Sequence, residues 1–148
     1  MLSSIQDFFN QIRQQNQSQS QSMEPNLAIA ALLCQVMQAD HQSLDAEVKV
    51  TQERLSELLN ISQDEAKTLL DNACSTASDA ASVYQFTDHL RDLSQQQRFH
   101  IIESMWQIAY ADHKLDPIEE AVIRKAAELL YVDHQDFIRA KLKVTEQL

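Results

Sequence analysis

Apolar residues recur along this chain at intervals of three and four, the spacing of helices that bury one face. Leu2, Ile5, Phe8, Phe9 and Ile12 keep this spacing behind Ser3 and Ser4, which predicts a short amphipathic helix over the first dozen residues. Residues 14–22 are then all Gln, Asn or Ser, a tract with nothing to bury, so the N-terminal 1–22 reads as a helix on a tether and the domain as 23–148. Pro25 suits a first helical turn, and Leu27, Ala30, Ala31, Cys34 and Met37 carry the next helix toward Asp40. A further helix is predicted from Asp45 to near Asn60. Ser62 and Glu65 have the spacing of a capping box and open a helix through about Cys74, and another is predicted from Ser78. Ser94 and Gln97 cap the segment that carries Phe99, Ile102, Met105, Trp106 and Ile108. Asp116-Pro117 starts a helix that runs to about Tyr131, and Asp133 with Asp136 opens the last one, with Phe137, Ile138 and Leu142 on its apolar side.

This pattern occurs twice. Ala39-Asp40-His41, followed by Leu44-Asp45 and Glu47, returns as Ala111-Asp112-His113, followed by Leu115-Asp116 and Glu119-Glu120, and both the Asp-His pairs and the glutamates are 72 positions apart. Leu59, Ser62 and Glu65 correspond to Leu130, Asp133 and Asp136 at an offset of 71. Each unit is a helix, an acidic connection, a helix, a capped turn and a helix. The expected fold is an all-α single bundle of about seven helices built by internal duplication, with the N-terminal amphipathic helix appended.

Composition narrows the function classes. Glycine is absent, where average usage would supply roughly ten, and only two prolines occur. Phosphate-cradling loops and tight strand hairpins need glycine, which disfavours nucleotide-binding α/β folds and all-β folds. The net charge of −10 disfavours nucleic acid or an anionic lipid surface as partner. Arg124, Lys125, Arg139, Lys141 and Lys143 make a basic end, read mainly as favourable charge near helix C-termini. Cys34 and Cys74 stand forty residues apart without a metal or redox spacing and are expected as two buried thiols in a reducing compartment. No secretory signal or membrane span is expected, since the longest apolar run covers only residues 27–34. A cytoplasmic location follows as the expectation.

The candidate binding residues are the acids of the two connections: Asp40, Asp45 and Glu47, with Asp112, Asp116, Glu119 and Glu120. Helix-start chemistry accounts for most of them, with Asp45 and Asp116 as N-caps and Glu47, Glu119 and Glu120 in first turns. It does not account for Asp40 and Asp112, because each closes a helix at the end where the macrodipole repels an anion. A hard cation held by oxygen ligands would offset that repulsion, and Asp40, His41, Asp112 and His113 are the candidate metal ligands. The loops are not EF-hands, since the twelve-residue pattern and its central glycine are missing. A zinc site from the two Asp-His pairs would need both loops to converge. His100 and Glu103 read as a surface pair, and no serine or cysteine stands in a nucleophile turn.

The second copy, with Ala111-Asp112, Leu115-Asp116-Pro117, Glu119-Glu120, the run Leu129-Leu130-Tyr131-Val132 and the segment from Asp136 to Lys141, resembles the tellurite-resistance TerB family. The same fold occurs as the N-terminal domain of the co-chaperone DjlA. The resemblance is close over residues 99–143 and weaker over 27–70, and the family has glycine where His41 and His113 stand. It implies an all-helical domain linked with metal-ion or stress responses that acts through partners and has no established catalysis. The expectation is a non-enzymatic binding module whose acidic loops face a partner protein or a cation. No cofactor is required on this reading, a divalent cation is the candidate ligand, and a homo-oligomer is admissible. The alternatives are a metal-dependent enzyme built on the Asp and His of both loops, and a structural helical oligomerisation unit.

Overall fold

The computed structural model describes residues 25–39, 45–79, 83–111 and 115–147. The predicted N-terminal helix and tether lie outside them. Seven helices follow one another: α1 (Pro25–Gln38), α2 (Asp45–Leu59), α3 (Gln63–Asp79), α4 (Tyr84–Thr87), α5 (Gln95–Ala109), α6 (Pro117–Leu129) and α7 (His134–Thr145), with no strand among the described residues.

The two copies fold as expected, α1–α2–α3 and α5–α6–α7, and they meet along their first helices. α1 is apolar almost all round and is buried from Ala28 to Cys34, so it cannot lie on the surface. It packs against α3 and α2 of its own unit, against α4, and against α5 and α6 of the other. α5 is the counterpart, touching α6 and α7 of its own unit and α1 and α2 of the first. One continuous core results, with Ile29, Leu32, Leu33, Ile101, Ile102, Met105, Trp106 and Ile108 shielded from solvent. Trp106, which stands where the first copy has Cys34, keeps its one polar atom satisfied: Nε1 donates to the Phe137 carbonyl at 3.3 Å, and the rings pack at 5.1 Å between centroids.

The helix starts are local chemistry. Ser94 Oγ accepts from the Gln97 N–H while Gln97 Oε1 accepts from the Ser94 N–H, a complete capping box. At Ser62 half of the box forms: the hydroxyl accepts from the Glu65 N–H but donates to Glu65 Oε1 instead of leaving that carboxylate to the backbone. Asp133 caps α7 through the Asp136 N–H at 2.8 Å. α2 and α6 both end in Schellman turns, with Ile61 N–H bonded to Ser56 O and Val132 N–H to Ala127 O, so Asn60 and Tyr131 take left-handed backbone.

Two expectations are corrected. The helix predicted to end near Cys74 continues to Asp79, and no helix starts at Ser78; the chain instead makes the single turn α4 and a series of turns up to Ser94. Ser75, Thr76 and Ser78 resemble a cap, but no proline or glycine interrupts the helix there, and the Thr76 hydroxyl bonds back to Asn72 O, one turn earlier. The cysteines are not two thiols. Cys34 and Cys74 form a disulfide, with Cα atoms 5.6 Å apart, that ties α1 to α3. The packing of the first and third helices of one unit brings them together, and a separation of forty residues in sequence gives no sign of it.

Candidate functional site at the duplicated acidic connections

The structure separates the seven acids into kinds. Asp116 is an N-cap as read, its Oδ1 accepting the Ile118 N–H at 2.7 Å, with Pro117 in the first helical position. Asp45 is not the cap: it is itself the first helical residue of α2, exposed, where its charge complements the helix N-terminus. Asp45 therefore stands level with Pro117. Glu120 is half-buried and faces α7, with Arg124 Nη2 at 3.6 Å and Lys141 Nζ at 3.9 Å. It is an inter-helix ion-pair acid.

Glu47 and Glu119 differ from the rest. Each is the third residue of its helix, and each is buried, at 0% and 2% exposure. A first-turn carboxylate gains from the macrodipole while it stays in water, so that effect gives no reason to bury it. Carboxylates are almost never fully enclosed without a partner, since desolvating the charge must be offset by hydrogen bonds or a cation. The duplication therefore reproduces a burial as well as a sequence. Thr51, one turn on in α2, is also buried and donates to the Glu47 carbonyl at 2.6 Å.

Asp40, His41, Asp112 and His113, the candidate metal ligands, lie outside the described residues. Among the described residues no group of three or more His, Cys, Asp or Glu side chains could hold a metal ion. In sequence, each of the two buried glutamates follows one of these Asp-His pairs.

Four of the five residues of the basic end make contacts within the second unit. Arg139 lies over Phe99 with its guanidinium carbon 4.2 Å from the ring centroid, Arg124 over Phe137 at 4.9 Å and Lys141 over Trp106 at 5.4 Å. Lys143 reaches Glu103 at 3.2 Å, and Glu103 also receives His100 at 3.5 Å, so the expected surface pair extends to a third residue on α7. These contacts fasten α7 onto α5 and α6.

The all-helical fold of the described residues agrees with the family comparison. The model of the family described as tellurite resistance protein TerB matches residues 26–142. The chain belongs to the TerB family. The match runs from the second residue of α1 to Leu142 within α7 and so reaches into every helix described above. No curated protein and no solved structure matches the chain. No helix among the described residues is long and apolar enough to cross a membrane.

Proposed function

We propose that this TerB-family chain is a non-enzymatic binding module that presents its two acidic connections to a metal cation or a partner protein, in the cytoplasm and within a stress or metal-ion response. The observation that carries the reading is the paired burial of Glu47 and Glu119 at the third position of equivalent helices. A structural cap would be needed at the helix start and would stay wet; a buried carboxylate preceded in sequence by a second acid and a histidine offers the donor types of an oxygen-rich cation site. The Cys34–Cys74 disulfide is of a kind rare in the cytosol, and the cytoplasmic placement is supported by what the family resemblance implies. No cofactor is needed for this role.

Thermal melts with calcium, magnesium and zinc test the cation reading. Asp40→Asn and Asp112→Asn should abolish any cation-induced rise in melting temperature, while the metal-free variants, substituted a few residues beyond the ends of α1 and α5 in sequence, should be unchanged or stabilised by up to about 1 kcal/mol. If no cation at millimolar concentration stabilises the wild type, the cation reading is discarded and the loops remain as a protein-facing surface.

A further inference from the structure

The Schellman turns that end α2 and α6 differ in the side chain at the left-handed position. Asn60, with φ 54°, occupies it in the first unit, and asparagine is among the residues that tolerate this backbone best. Tyr131 occupies it in the second with φ 58°, where a bulky side chain is sterically disfavoured, and its ring is left 68% exposed. Burial therefore does not explain the tyrosine. The ring is held by Arg91, whose guanidinium carbon lies 5.5 Å from the Tyr131 centroid and 5.3 Å from that of Tyr84, itself 49% exposed. The turn beneath is fixed as well, because Arg98 Nη1 donates to the Leu130 carbonyl at 2.6 Å.

The surroundings of the two rings carry both signs, with Asp88, Asp92, Asp133 and Asp136 set against Arg91 and Arg98. The charge of Arg91 is met by Asp88 at 3.4 Å, and Arg98 is turned onto backbone carbonyls. Asp92, next to Arg91, is exposed and has no ion pair among the described residues. Asp133, which caps α7, and Asp136, which pairs with Arg139 at 3.2 Å, border a small crevice with Tyr131, Gln95 and Arg98. Mounted tyrosines are the side chains that concentrate binding energy at protein interfaces, and their ring faces attract cations. The carboxylate rim and the net charge of −10 favour basic partners and repel acidic ones. Tyr131 follows Glu119 by twelve positions, across most of α6 and the turn that ends it, a span of roughly 15–18 Å, so this face is distinct from the acidic connections.

We propose that the Tyr84–Arg91–Tyr131 stack with its carboxylate rim is a docking surface for a basic, arginine-bearing segment of a partner protein. The test is a titration of the ¹⁵N-labelled full chain with nona-arginine peptide, with nona-glutamate as the control. Amide shifts should concentrate at residues 84–92 and 131–133, and Tyr131→Asn should weaken binding at least tenfold without lowering the melting temperature, since Asn60 already holds the same turn. Tyr84→Ala should weaken binding likewise and serves if Tyr131→Asn proves destabilised. Asp40→Asn and Asp112→Asn should leave the affinity as it is, which separates this surface from the loops. Shifts spread over the acidic faces of α2 and α6 with equal affinity for Tyr131→Asn, or equal binding of nona-glutamate, would overturn the proposal.

Discussion

Reduction of the Cys34–Cys74 bond is expected to lower the stability of this domain by an amount that can be worked out in advance. The bond closes a loop across a sequence separation of 40 residues. The chain-entropy model gives about 13 cal/mol/K for a loop of that length, or about 4 kcal/mol at 25 °C, for the freedom removed from the unfolded chain. For a domain of this size each kcal/mol moves the melting temperature by about 2–4 °C, so the shift should be about 8–16 °C. Both cysteines lie against the core, Cys34 fully buried on α1 and Cys74 partly so on α3, so the folded state of the reduced protein keeps the packing and the loss falls mainly on the unfolded reference. The assay is a pair of thermal melts, with and without a dithiol reductant, accompanied by thiol titration in denaturant. Cys34→Ala with Cys74→Ala should melt near the reduced wild type and ignore the reductant. Two free thiols in protein purified under air, or a reductant shift below about 2 °C, would refute the reasoning.

Other consequences follow from the helix ends and the core. Asp116→Ala and Asp133→Ala each remove a side-chain cap on a helix N-terminus and should cost about 0.5–2 kcal/mol in denaturant melts, whereas Asp45→Ala, at an exposed first helical position, should cost only about 0.3–1 kcal/mol. Trp106→Ala empties the centre of the second unit and strands the Phe137 ring, so a loss of about 3–5 kcal/mol is expected by the same assay.

The fold was legible because its determinants are local and repeated. Ser94 with Gln97, Asp116 with Pro117 and Asp133 with Asp136 each state a helix start within four residues, and the 72-residue echo states how many units there are. The α3 terminus was misread because Ser78 has the side chain of a cap without a helix breaker before it. The Cys34–Cys74 bond and the burial of Glu47 and Glu119 depend on which helix lies against which, and no spacing along one helix reports that. The candidate site was legible as a set of acids but not in its ranking. In the sequence Glu119 and Glu120 are equivalent neighbours; in the structure one is enclosed and the other pairs with Arg124 and Lys141. Periodicity could have hinted at this, since Glu119 falls four residues before the buried Ile123 and shares its face of α6.

The central claim is that Glu47 and Glu119 perform the same task in two equivalent sites. It is tested most directly by calorimetric titration of calcium, magnesium and zinc into the wild type, Glu47→Gln and Glu119→Gln, each substitution preserving shape while removing the charge. The account predicts two equivalents of one of these cations bound by the wild type, one by each single variant and none by the double variant. The same stoichiometry in all four proteins, or loss of both equivalents from a single substitution, would contradict it.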